Sequence, residues 1–95
     1  MESALYSLHI LVSGRVQMVG FRYYTVNRAR KYGLSGWVKN MYDGRVEIEA
    51  EGNRSSLTMF LEDIRVGPSS AEVSQVLDHW SEIDSKNHSG FNVAF

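Results

Sequence analysis

Between Gly14 and Arg22 the chain reads Gly-Arg-Val-Gln-Met-Val-Gly-Phe-Arg, a glycine-flanked run with no acidic residue that ends on a guanidinium. Alternating apolar residues precede it and a helical spacing follows it. The run therefore joins a strand to a helix, and the amides of its loop and of the first helical turn lack partners within secondary structure. Curled inward, consecutive N–H groups form a cradle for phosphate oxygens, helped by the positive end of the helix dipole. Arg22, in the first turn, can grip two such oxygens at once. The chemistry on offer is the holding of a small tetrahedral anion; a plain connection is the alternative reading of the same residues. No Lys-Ser/Thr follows a glycine here, and the glycine spacing is not that of a dinucleotide site.

Other residue types offer no competing centre. There is no cysteine, which excludes disulfides, thiolate zinc sites and a cysteine nucleophile. His9, His79 and His88 lack metal-ligand spacing such as H-x-x-x-H, and His9 reads as a partly buried strand residue. Ser7, Ser13 and Ser35 have no base partner visible in the sequence. Trp37, Trp80, Tyr6 and Tyr24 read as packing residues, while Tyr23 can approach the loop from the helix start.

The elements that position the loop follow from periodicity. Tyr6, Leu8, Ile10 and Val12 alternate with Ser7, His9, Leu11 and Ser13, the pattern of a half-buried strand that Gly14 is expected to end before a seven-residue loop. From Phe21 the spacing turns helical: Phe21, Thr25, Ala29 and Tyr32 share a side with Tyr24, and Gly33 is placed as the C-terminal cap. Leu34–Asn40 and Arg45–Glu51 read as strands joined by a hairpin with an Asp43-Gly44 turn. In the second of these, Val46, Ile48 and Ala50 are expected inward and Glu47, Glu49 and Glu51 in water, a solvated stripe rather than a metal site. Leu57, Phe60, Leu61 and Ile64 make an amphipathic helix stopped by Gly67-Pro68. Ala71–Trp80 supports a fourth strand, and Phe91, Val93 and Phe95 a short terminal one. Strand, helix, strand, strand, helix, strand is the split β-α-β order, which predicts a ferredoxin-like α/β (α+β) sandwich: an antiparallel sheet with both helices on one face.

A chain of 95 residues is one domain, 1–95, with 43% hydrophobic residues and a net charge of −1. The charge is uneven. Residues 1–45 carry 7 Lys+Arg against 2 Asp+Glu, and residues 46–95 carry 3 against 9. That balance suits a small anion met by the first half, whereas nucleic acid calls for a net basic domain. No run of about 18 apolar residues is present, so no membrane role is expected and a cytoplasmic setting is the default.

The Gly14–Arg22 run, followed by GWVKNMYDGRVEIEAEG from Gly36 to Gly52, resembles the acylphosphatase family, whose pattern is G-x-V-Q-G-V-x-F-R, then G-W-V-x-N, then D-G-x-V. The remaining helix, Gly-Pro break and strand agree with the family's second half. The resemblance implies a monomeric enzyme that hydrolyses small-molecule acyl phosphates to carboxylate and inorganic phosphate, with phosphate as product and inhibitor. It also implies no metal, no cofactor and no covalent intermediate. By position it puts the family's phosphate-binding arginine on Arg22 and its water-orienting asparagine on Asn40. The phosphate-binding loop falls on Arg15, Val16, Gln17, Met18, Val19, Gly20, Phe21 and Arg22. One departure stands out: Met18 occupies a position where the family has glycine. If that position needs a positive φ, methionine costs roughly 1–2 kcal/mol or tilts an amide; if not, it only adds bulk at the mouth. A weakly active or non-catalytic module binding phosphate or carbamoyl phosphate is the alternative. RNA binding would need a basic-aromatic third strand, and Arg45–Glu51 is not one.

Overall fold

The computed structural model describes residues 4–95, which run β1 (Leu5–Arg15), α1 (Phe21–Lys31), β2 (Ser35–Asn40), β3 (Val46–Gly52), α2 (Arg54–Val66), β4 (Glu72–Ile83) and β5 (Phe91–Val93). The strands form one sheet in the order β4-β1-β3-β2-β5. Neighbours are antiparallel except β5, which lies parallel to β2. The ferredoxin-like sandwich expected from the element order is present, but the sheet is mixed rather than wholly antiparallel. After β4 the chain passes to the other edge of the sheet and re-enters beside β2 in the same direction.

Strand alternation sends Leu8, Ile10, Val12, Val38, Val46, Ile48 and Ala50 to one face, where Phe21 and Ala29 of α1 and Leu57, Phe60 and Ile64 of α2 cover them in a single buried core. Each large side chain fully buried there contributes about 1.5–3 kcal/mol. Thr25 is buried too, its hydroxyl donating to the Phe21 carbonyl at 2.8 Å. Gly33, at φ 70°, closes α1: its amide donates to Arg30 O and that of Leu34 to Ala29 O, at 3.1 and 2.9 Å. The Tyr24 and Tyr32 hydroxyls donate to the Asp63 carbonyl (2.8 Å) and carboxylate (2.6 Å), tying α1 to α2. No helix among the described residues is long and apolar enough to cross a membrane.

Two sequence expectations are corrected. Gly14 does not end β1. The strand continues through a register shift at Ser13/Gly14 to Arg15, because β4 reaches from Glu72 to Ile83, longer than expected, and pairs along all of it. At φ 119°, with the Glu72 carbonyl pressed where a Cβ would sit, Gly14 is confined to glycine. Glu51 does not face water: it is fully buried. Its carboxylate accepts from Ser35 Oγ (3.1 Å) and from the amides of Asn87 and His88 (3.0 Å each), so the segment before β5 folds over this end of β3 and supplies the donors a buried charge requires.

Candidate active site

The connection from β1 to α1 is five residues, Val16 to Gly20, and shorter than expected because β1 takes in Gly14 and Arg15. Its backbone passes through left-handed conformations at Met18 (φ 63°) and Gly20 (φ 79°), the latter being the N-cap of α1. Among the described residues no side chain caps the helix, and its first turn holds no acid, which leaves its positive end unclaimed by them. Among the described residues, no backbone carbonyl accepts from the amides of Gln17 to Arg22. Met18 takes the first of the two alternatives left by the sequence: the position does require a positive φ. Its side chain is fully exposed.

Three ties hold the loop. Val16 and Phe21 are buried in the core. The Val19 carbonyl accepts from Ser70 Oγ at 3.0 Å. Gln17 Nε2 donates to the carbonyls of Met41 and Arg45, at 2.8 and 2.9 Å, fastening the loop to the base of the β2–β3 hairpin. The Gln17 side-chain amide is thus committed to the hairpin. Arg15, grouped with the loop on sequence, is instead the last residue of β1, with its guanidinium 3.5 Å from Glu72.

Asn40 stands at the end of β2, opposite Val46, directly before the hairpin that Gln17 grips. The hairpin closes through Met41 N to Arg45 O (2.8 Å) and Gly44 N to Met41 O (3.2 Å). Asp43 accepts from the Arg45 amide at 3.1 Å and its Nε at 2.9 Å, and these hydrogen bonds, the backbone one foremost, hold the Asp43 carboxyl below its ordinary pKa. The side-chain oxygen of Asn40 is buried without a hydrogen-bond donor among the described residues. Arg22, among the same residues, makes no ion pair or hydrogen bond through its guanidinium.

Arg22 and Asn40 meet around two adjoining cavities. The smaller, about 160 Å³, is walled by Val16, Met18, Gly20, Phe21 and Tyr23 together with the pair. A larger one, about 470 Å³, lies against the same pair and is bounded by the hairpin and the residues after β5. Sequence alone does not assign Met41, Tyr42, Ala94 and Phe95 to the site; Phe95, expected in the terminal strand but lying beyond β5, reaches it because β5 runs parallel to β2, a pairing periodicity does not reveal. A further hollow of similar size, at the Ser35 end of β2, contains Arg30 and Lys86, but Arg30 is committed to the Phe91 carbonyl at 3.0 Å and to Asn92. It has neither free amides at a helix start nor an unpaired guanidinium. The small cavity at the start of α1 can hold a tetrahedral anion between amides and guanidinium, with an amide side chain at its edge.

Comparison with known proteins identifies the family. The family model described as Acylphosphatase matches residues 8–93. The acylphosphatase of Bifidobacterium longum is 45% identical over 85 residues, covering 90% of this chain and 88% of that protein. That of Archaeoglobus fulgidus is 46% identical over 89 residues, covering 94% and 98%. The crystal structure of acylphosphatase from Bacillus subtilis superposes with a TM-score of 0.90 at 40% identity, over 95% of this chain and 99% of that one. With the motif, the fold and these relatives in agreement over nearly its whole length, the chain belongs to the acylphosphatase family.

Proposed function

We propose that acyl phosphates are hydrolysed here by in-line attack of a water on a phosphoryl group held by Arg22 and the amides of Gln17 to Arg22. The observation that carries the reading is the convergence of an unpaired guanidinium and a buried, unpartnered Asn40 oxygen on one small cavity at the start of α1. The phosphoryl oxygens sit in the cradle, where guanidinium and amides match the charge that develops as the bond to the acyl oxygen loosens. Asn40 accepts a hydrogen bond from the attacking water and aligns it opposite the leaving oxygen. Its neutral amide adds no negative charge beside the substrate, where a carboxylate would repel it. The water oxygen bonds to phosphorus, the P–O bond to the acyl group breaks, the carboxylate departs with that electron pair, and the water's protons leave with the phosphate. A carboxylate is already a good leaving group, so a strong base and a metal are less needed than for a phosphate monoester.

Inorganic phosphate, the product, fits the same cradle and should inhibit competitively. The working form in this reading is a cytoplasmic monomer acting on a small molecule without metal, cofactor or nucleic acid. The test is hydrolysis of benzoyl phosphate by EDTA-treated protein, with p-nitrophenyl phosphate and ATP alongside. Turnover of the acyl phosphate, and much poorer use of the other two, is expected; strong activation by Mg²⁺ or Zn²⁺ would refute the metal-free mechanism.

A further inference from the structure

The two cavities that share Arg22 and Asn40 differ in lining. The small one is lined by residues of the β1–α1 loop and the start of α1, while the larger is lined by Met41 and Tyr42 of the hairpin, Ala94 and Phe95 after β5, and the strand residues Lys39 and Glu47. Tyr42 and Phe95 line it while standing fully exposed, and Met41 and Ala94 line it with them. Two fully exposed aromatic rings on separate segments beside one hollow are costly to leave in water and gain most from an apolar group laid against them. Apart from Arg22, which the proposed reading commits to the phosphate, its charged wall offers little to an anion. Lys39 Nζ lies 3.7 Å from Glu47, and Glu47 is also 2.7 Å from His9 Nε2, so a second carboxylate on a substrate would meet a paired lysine and an acid.

We infer that the larger cavity receives the acyl arm of the substrate and selects uncharged apolar acyl groups, aromatic above all, over small or dicarboxylic ones. This rests on the proposed reading, in which the phosphate fills the small cavity; the acyl arm then extends past Arg22 and Asn40 into the adjoining space. Tyr42 and Phe95 are the specificity-determining residues, and neither is needed to hold phosphate.

The experiment compares kcat/KM for benzoyl and acetyl phosphate, each divided by the compound's own uncatalysed hydrolysis rate, in wild type, Tyr42→Ala, Phe95→Ala and the double variant. The corrected benzoyl preference should be about tenfold or more, the scale of a few buried carbons, and should fall at least about fivefold in the double variant. Succinyl phosphate should rank with acetyl phosphate or below. Both side chains are fully exposed, so the variants should keep the wild-type circular dichroism and melting profile. Equal corrected values for the two substrates, or a preference unmoved in the double variant, overturns the inference while leaving the phosphate site intact. Failure to hydrolyse either compound faster than buffer, with no inhibition by phosphate, would instead bring down the hydrolytic reading and this inference with it.

Discussion

The two ends of the β2–β3 pair treat buried polar groups in opposite ways. At one end, where Ser35 faces Glu51, a fully buried carboxylate is surrounded by a hydroxyl and two amides at 3.0–3.1 Å. At the other, where Asn40 faces Val46, a buried oxygen has no donor among the described residues, and a guanidinium and a row of amides beside it are likewise uncommitted. Five residue steps along the strand, about 16 Å, separate the two. A buried polar group left unpaired costs about 1–3 kcal/mol, so the first end uses its groups to hold the fold, whereas in the proposed mechanism the second keeps them for a ligand. Substitutions at the two ends should therefore show up in different measurements.

The largest effect should come from Arg22→Ala, which removes the only bidentate cation of the small cavity. Turnover is expected to fall about 10³-fold or more, with phosphate inhibition weakened in parallel, because in the proposed mechanism the guanidinium binds the anion in ground and transition states alike. Arg22→Lys should recover little, since a point charge cannot reproduce the fork. Wild-type phosphate inhibition in Arg22→Ala would reverse the assignment.

Asn40→Ala should lower kcat about 10²–10³-fold while leaving phosphate inhibition near wild type, for in the proposed mechanism the amide acts on the attacking water alone. Stability should not drop, since the oxygen removed has no partner to abandon. Asn40→Asp sets a negative charge beside the substrate, so it should weaken phosphate binding as well, and acidification toward the carboxyl range should partly restore that binding. Unfolding of Asn40→Ala would make Asn40 a structural strand end and erase the contrast with Glu51.

Glu51→Ala should give the mirror result. The amides of Asn87 and His88 and the Ser35 hydroxyl lose their acceptor together, and urea unfolding should report a loss of about 2–4 kcal/mol. Hydrogen exchange at Asn87 and His88 should accelerate, while kcat on benzoyl phosphate changes less than about threefold. A stable Glu51→Ala protein would mean that the buried carboxylate is a passenger.

That contrast was half legible in the sequence. The loop, Arg22 and Asn40 sit in a local pattern whose chemistry can be read from residue type and order, and the helix faces and the Asp43-Gly44 turn follow from short-range periodicity. Glu51 was misread because alternation alone assigns it to the open face. Its burial depends on the 84–90 segment, more than 30 residues away, folding across that face, and no local signal marks this. Gly14 was misread for the same reason, since only the length of β4 shows that β1 continues past it. Gln17 belongs to the loop motif, yet its side chain serves the hairpin, a contact between residues 24 and 28 positions apart. The parallel seating of β5 was equally hidden, and with it the route by which Phe95 reaches the site. Short-range features fixed by propensity were thus readable; burial and partners fixed by chain return were not.

The smallest expected effect tests whether the site end carries a stability penalty in its backbone as well as in its polar groups. Met18 holds φ 63° with its side chain wholly in solvent, so no packing offsets the left-handed conformation, which costs an L-residue roughly 1–2 kcal/mol. Met18→Gly removes that cost but adds unfolded-chain entropy worth about 0.5–1 kcal/mol, leaving a net gain of about 0.5–1 kcal/mol and a rise of a few degrees in Tm. Met18→Val should go the other way, because a β-branched residue tolerates positive φ least. Turnover in Met18→Gly should not decline, since in the proposed mechanism the loop binds the anion through its backbone amides and the Met18 side chain stands in solvent. Paired thermal melts of the two variants decide the matter. If Met18→Gly melts below wild type, or if Met18→Val melts with it, the loop is not strained at this position, and the cost of keeping the site open lies in its unpaired polar groups alone.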